Sequence, residues 1–122
     1  MENFHSNRYT AIKHARSWFY LIFTVDRQQI SIHYEHAEPV HIDWDEVYNV
    51  SYYKIDCIEY EMGYLVFDLV YGESIEISDS DQDWEKIVND LEKCLPSQTS
   101  DWRNSLRSWS IDDGILYLYE KA

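Results

Sequence analysis

Carboxylates are the chemically active side chains that this sequence supplies in greatest number. It has 23 Asp and Glu against 10 Lys and Arg, for a net charge of −13. Two carboxylates can act as acid and base when one is buried and protonated while the other stays ionised. Here the acids lie on polar strand faces and in turns, which favours solvated charges. We therefore expect that the chain is not an enzyme.

Other catalytic groups lack the neighbours that their chemistry needs. The chain has no Gly-x-Ser-x-Gly sequence, and its three glycines form no phosphate-binding loop. Cys57 lies beside Asp56 and near Glu59, whereas a nucleophilic thiolate needs an electropositive setting. The two cysteines, Cys57 and Cys94, are expected to be free thiols, with a single bridge as the alternative. We expect no catalytic residue and no cofactor.

Three histidines, His33, His36 and His41, lie close together in the sequence. Zinc sites usually have four protein ligands, or three and a water, at the short spacings of turns and helices. Positions 33 and 36 of one strand would point to opposite faces. We interpret the histidines as solvent-facing strand residues and expect no metal site.

The distribution of charge along the chain restricts its partners. Residues 1–34 carry a net charge of +2, residues 35–85 carry −14, and residues 86–122 carry −1. The central segment has fifteen carboxylates and a single base, Lys54, and would repel nucleic acid and anionic membrane. The sequence has no run of 18 apolar residues and no apolar core of a signal peptide near its start, so we expect a cytoplasmic protein.

Apolar and β-branched periodicity predicts a series of strands before the main helix. The strands are expected over 18–25, 30–34, 40–42, 47–60, 64–71, 74–78 and 115–119. The alternation slips near 56–59, which predicts a β-bulge, and Gly63 predicts the following turn.

One main helix is expected over 81–95, with an apolar stripe, Ser80 as its cap and Pro96 as its end. A short helix is expected over 100–108. Residues 7–16 are expected to form a short basic helix, within an N-terminal segment 1–16 that is short helical or flexible. This order favours a single α+β domain over residues 1–122. Its form would be a curved antiparallel sheet or half-barrel of about six to seven strands capped by the main helix, pleckstrin-homology-like in arrangement.

The fifth and sixth predicted strands suggest their own register. Pairing Leu69 with Ile75 keeps their apolar faces together. The same register places Asp68 directly opposite Glu76, where like charges cost up to about 1 kcal/mol. A chain selected only for stability would have little reason to keep that pair, so we interpret the outer sheet face as a binding surface.

Tyrosines alternate with the acids of this surface. Tyrosine supplies large contact area at low entropic cost, and carboxylates steer a basic partner. We predict that the face binds a basic protein, although a solvated face without a partner is the alternative. The predicted charged residues are Asp56, Glu59, Glu61, Asp68 and Glu76, and the predicted aromatic anchors are Tyr60 and Tyr64.

The central stretch carries a recognisable order of residues. It reads Trp44-Asp45-Glu46-Val47-x-x-Val50-x-x-Tyr53-Lys54-x-Asp56, then Leu65-Val66-Phe67-Asp68-Leu69, Gly72 and Ile75-Glu76-Ile77-Ser78, then Trp84, Leu91, Leu95-Pro96 and Trp102. Over residues 40–102 and 116–119, this order resembles small bacterial immunity proteins that protect against polymorphic or contact-dependent growth-inhibition toxins. Residues 106–110 depart from the family pattern.

The resemblance implies a protein that binds and neutralises a cognate toxin in the cytoplasm, with a basic nuclease domain as the favoured target. The oligomeric state is open, with a monomer favoured. Two other interpretations stay open. A nucleic-acid mimic or anti-defence inhibitor of a DNA-binding protein would space its carboxylates like phosphates along one surface. A small enzyme would need a cleft that holds a strongly shifted carboxylate.

Overall fold

The structure, a computed structural model, describes residues 11–13, 21–35, 37–98 and 101–121. Within these ranges the strands are β1 Ala11–Lys13, β2 Leu21–Val25, β3 Gln29–Tyr34, β4 Val40–Asp43, β5 Val47–Asp56, β6 Glu61–Leu69, β7 Ser74–Ser78 and β8 Leu116–Glu120. The helices are α1 Trp84–Cys94 and α2 Trp102–Arg107, with 3₁₀ turns at Trp44–Glu46 and Ile111–Asp113. These elements confirm the α+β class.

The smaller sheet is an antiparallel meander in the order β2-β3-β4. Asp26 closes its first turn, because its carboxylate accepts the N–H groups of Gln28 and Gln29 at 2.8 and 2.9 Å. Ile30 and Ile32 are buried on the inner face, as the alternation predicts.

The larger sheet has the order β1-β7-β6-β5-β8. Its last four strands pair antiparallel, and β1 joins the edge parallel to β7, with Ala11 opposite Ile75. Residues 11–13 are therefore a strand, which corrects the predicted helix over 7–16. The rest of that segment lies outside the described residues.

The core lies between the two sheets and α1. Phe23 of β2 and Phe67 of β6 meet across it, with ring centroids 5.1 Å apart. Burial of a side chain such as Phe67 contributes about 1.5–3 kcal/mol. The strands divide into two sheets that do not close into a barrel, which corrects the prediction of a single sheet.

The main helix buries the predicted apolar stripe, including Ile87, Val88 and Leu91. It begins at Trp84, later than predicted, because Asp81 accepts the N–H of Asp83 at 2.8 Å in a separate turn. Ser80 does not cap the helix, since its hydroxyl is hydrogen-bonded to Ser78 at 2.7 Å.

The β6–β7 register differs from the prediction by two residues. Phe67 pairs with Ile75, so Asp68 lies opposite Ser74 and not opposite Glu76. A shift of two keeps every apolar side chain on the same face. The loop lengthens to residues 70–73, where Gly72 adopts a φ of 99° that favours glycine.

The β5–β6 hairpin also differs from the prediction. Strand β5 ends at Asp56, and residues 57–60 form the turn where a continued, bulged strand was predicted. Gly63 lies inside β6 rather than in a turn. A Cβ at Gly63 would lie 2.6 Å from Asp79 Oδ2 and would also clash with the Tyr52 ring, so this close approach requires glycine.

Candidate functional site

The end of the β5–β6 hairpin, residues 56–61, which we call the hairpin tip, is exposed at every position except Cys57. Its turn is closed by the N–H of Cys57, which donates to the Tyr60 carbonyl at 2.8 Å. The Asp56 carboxylate accepts the N–H of Ile58 at 2.8 Å. These bonds fix the backbone of the tip from within its own sequence.

Ile58 is the outlier of the tip. It is 93% exposed, and its φ of 79° is the one positive φ among the described residues other than glycine. For an L-residue this conformation costs roughly 1–2 kcal/mol, and a β-branched side chain rarely adopts it. The tip therefore holds an apolar side chain in water at the expense of backbone strain, a combination that often accompanies a functional site.

Exposed acids and an aromatic ring surround Ile58. Tyr60 is 57% exposed, and the side chains of Asp56, Glu59 and Glu61 all face solvent. Asp56 and Glu61 lie directly opposite each other at the end of the paired strands. The sequence predicted a like-charge cross-strand pair between Asp68 and Glu76, and that pair is absent. Asp56 and Glu61 form such a pair at the tip instead.

Among the described residues, one ion pair moderates the charge of the tip. The Lys54 ammonium lies 3.9 Å from the Glu61 carboxylate, a partly exposed pair whose contribution is at most about 1 kcal/mol. Strand alternation places Lys54, Asp56 and Glu61 on the side of the sheet that carries Tyr52. That side faces α1, since the rings of Tyr52 and Trp84 are 5.9 Å apart.

Tyr64 and Glu76 lie on the opposite side of the sheet. Tyr64 pairs with Tyr53, with ring centroids 5.8 Å apart. The pKa of the Tyr64 hydroxyl is raised first by burial and then by the neighbouring Cys57, Glu76 and Tyr60 groups. Tyr64 therefore adjoins the tip, and Glu76 lies beyond it.

Asp68 does not belong to this group. It lies seven residues from Glu61 along β6, or about 23 Å at the usual strand rise. It is half-buried, and desolvation raises the pKa of its carboxyl above the ordinary value. The structure thus brings four of the seven predicted site residues together, places Tyr64 beside them and Glu76 beyond Tyr64, and separates Asp68.

Ile58 was absent from the predicted set. The sequence signal was an isolated isoleucine between Asp56 and Glu59, in a stretch where the alternation slips. That slip predicted a bulge in a continuous strand, and such a strand would have given Ile58 a sheet neighbour.

A cleft of about 300 Å³ separates the larger sheet from the helices. Asp79 Oδ2 accepts the Tyr52 hydroxyl at 3.2 Å and the N–H of Gly63 at 3.0 Å. Burial and then the charge of Asp79 raise the pKa of the Tyr52 hydroxyl well above its ordinary value. Arg103, which also lines the cleft, pairs with Glu92 at 3.3 Å and Glu85 at 3.6 Å. Arg103 is thus paired with carboxylates and Asp79 is held by neutral donors, and no Ser, Cys or His is among the described residues that line the cleft.

The predicted histidine group is only partly described. The rings of His33 and His41 are 6.4 Å apart and edge-on, and His41 Nδ1 lies 2.8 Å from the Ser31 hydroxyl. His36 lies outside the described residues. Across the described ranges, no three His, Cys, Asp or Glu side chains are grouped to hold a metal ion. Cys57 and Cys94 are free thiols.

Comparisons with protein-family models, with curated proteins and with solved structures give no match. Neither of the described helices is long and apolar enough to span a membrane. The resemblance to immunity proteins stays a prediction.

Proposed function

We propose that this protein is an immunity-type inhibitor that binds a cognate basic toxin, with a nuclease domain as the favoured target, through the hairpin tip. The observation that carries the proposal is Ile58, an apolar side chain held in water in a strained conformation and surrounded by three carboxylates. Neither stability nor solubility accounts for that arrangement.

The tip has the two components of an interface hot spot. Full burial of a side chain such as Ile58 is worth about 1.5–3 kcal/mol, and almost all of its surface is still in water. Tyr60 adds aromatic area with a polar end, a residue type enriched at hot spots. The carboxylates form a rim that would be desolvated only in part.

The charge of the tip is complementary to a nuclease cleft. An enzyme that binds a phosphate backbone presents Lys and Arg along its cleft. The paired strands of a hairpin are about 4.8 Å apart, so the carboxylates of the tip lie close enough together to face such a cleft as a group. Its carboxylates would speed association and occupy phosphate positions without any chemistry. We include in this proposal that the inhibition takes place in the cytoplasm. The pleckstrin-homology-like arrangement of the fold stays a prediction.

The proposal predicts that a toxin domain is encoded immediately upstream of the gene, and that domain is the partner used in the test. The protein is expected to protect cells that express this domain and to inhibit its nuclease activity in vitro. Ile58→Ala is expected to weaken binding by about tenfold or more, because a central anchor is removed. Glu59→Lys is expected to weaken it further and to slow association most at low salt.

Matched controls lie away from the tip on exposed positions. Ile115→Ala removes an exposed isoleucine next to β8, and Glu38→Lys reverses an exposed charge between β3 and β4. Both are expected to bind the toxin like the unchanged protein. Full protection by the tip variants, or capture of a DNA-binding protein in place of the toxin, would contradict the proposal.

A further inference from the structure

A second cleft, of about 280 Å³, opens at the other end of β5. It is lined by Tyr48, Asn49, Tyr117, Glu120 and Lys121. The bulge between Val47 and Asn49 gives Tyr48 no partner on β6, and Asn49 pairs with Glu120 of the edge strand β8. The irregular pairing thus brings two tyrosines, an amide and a carboxylate to one opening.

Asn49 presents an unusual atom in this lining. Its side-chain oxygen Oδ1 is buried and has no hydrogen-bond partner among the described residues. Buried acceptors are nearly always paired, and an exception calls for a physical cause. Because this oxygen is buried, a ligand that brings an N–H donor into the cleft would supply the missing bond once the Asn49 side chain turned its oxygen outward.

The remaining lining suits a flat cation. Tyr48 is 57% exposed and Tyr117 is 40% exposed, so both present ring surface. A guanidinium group stacks on aromatic rings and carries five N–H donors in one plane. Glu120 offers a carboxylate, for which the guanidinium is the best-matched partner. The Lys121 ammonium donates to the backbone carbonyl of Asp45, which anchors the amine there without neutralising its charge.

We propose that this cleft binds the guanidinium of an arginine side chain from a basic protein partner. Asn49 Oδ1 and the Glu120 carboxylate accept its N–H groups, while Tyr48 and Tyr117 contact its faces. The inference rests on the proposed function in that the same toxin would supply the arginine. The cleft lies about 26 Å from the hairpin tip, measured along β5, so it adds a second contact to the interface.

The test uses the full chain and a small probe, independently of the toxin. The chain is labelled with ¹⁵N and titrated with N-acetyl-arginine methylamide, with its citrulline analogue and with its lysine analogue. The arginine probe is expected to give saturable NMR shifts confined to the cleft residues and the Asn49 side-chain amide, with a Kd of about millimolar order. The uncharged citrulline probe is expected to give no saturable shift, and the lysine probe is expected to bind about threefold or more weakly.

Variants locate the binding. Glu120→Gln and Tyr48→Ala are each expected to raise the Kd of the arginine probe by about threefold or more. Glu38→Gln removes the same charge elsewhere and is expected to change the Kd by less than about twofold. Equal shifts with arginine and citrulline, shifts scattered over the surface, or equal Kd values for Glu120→Gln and Glu38→Gln would each overturn the inference.

The outcomes also separate this inference from the proposed function. Toxin inhibition without arginine-probe binding would overturn the cleft assignment alone. Arginine-probe binding in a chain that does not bind the toxin would support the cleft and overturn the proposed function.

Discussion

Replacement of Ile58 by glycine is expected to stabilise the free protein while weakening its binding to the proposed toxin partner. The side chain is 93% exposed, so its removal forfeits almost no burial in the free state. The φ of 79° is strained for isoleucine and ordinary for glycine. One substitution therefore separates the free energy of folding from the free energy of binding.

The magnitude follows from two opposing terms. Relief of the left-handed conformation returns roughly 1–2 kcal/mol. The greater freedom of glycine in the unfolded chain removes about 0.5–1 kcal/mol of this gain. The net stabilisation is about 0.5–1 kcal/mol, which corresponds to a rise in Tm of about 2–4 °C for a chain of this length.

The assay is chemical and thermal unfolding of the free protein, followed by calorimetric titration with the toxin domain. Ile58→Asn provides a second variant, because asparagine tolerates the left-handed region but does not have the greater backbone freedom of glycine in the unfolded chain. Ile115→Gly is the matched control, since Ile115 is also exposed but has no positive φ, and it is expected to lose stability. A fall in stability for both Ile58 variants would contradict the backbone strain at Ile58. Unchanged binding of the toxin domain would contradict the proposed role of Ile58 as a binding anchor.

Three further predictions concern residues of β6, the strand that begins at the hairpin tip. Gly63→Ala is expected to destabilise the protein by about 1–3 kcal/mol in urea unfolding, because the new Cβ collides with Tyr52 and Asp79; no loss would mean that this contact is looser than described. Phe67→Ala is expected to cost about 3–5 kcal/mol, since Phe67 is fully buried, and a double-mutant cycle with Phe23→Ala should show a coupling of about 0.5–1.5 kcal/mol; additive losses would exclude the ring contact. Asp68→Asn is expected to stabilise the protein near pH 7, because desolvation raises the pKa of the Asp68 carboxyl in the folded state and the unchanged protein therefore loses stability as the pH rises through the unfolded-state pKa and then the folded-state pKa. The advantage of the variant should vanish below the ordinary pKa of 3.8, and a variant less stable than the unchanged protein near pH 7 would contradict the raised pKa.

Periodicity predicted which side chains of the fold are buried better than it predicted how strands pair. Ile30, Ile32 and the stripe of α1 are buried as expected, because alternation and helical spacing report directly on the face that meets the core. Registers that differ by two residues bury the same face, so the alternation of β6 and β7 could not distinguish them. The loop decided between them, and its length depends on Gly72 in a conformation that the sequence alone does not specify.

The sequence predicted the charged residues of the candidate site but missed its proposed anchor, Ile58. Acid-rich composition located the tip carboxylates Asp56, Glu59 and Glu61, since composition does not depend on register. Asp68 was included because an incorrect register gave it an acidic neighbour. Ile58 was missed because its exposure follows from where β5 ends, and the apolar pattern predicted a strand that continues past that point.

The parallel pairing of β1 with β7 sets an order of assembly during synthesis on the ribosome. Ala11 emerges more than sixty residues before its partner Ile75, whereas β2 pairs with β3 and β3 pairs with β4, each the next strand to emerge. Contacts so distant in sequence form late, because the intervening chain must first be ordered. Until β1 docks, the edge of β7 exposes unpaired backbone donors and acceptors, the kind of open edge at which nascent chains associate wrongly. The N-terminal strand thus closes one edge of the larger sheet as a late step of folding.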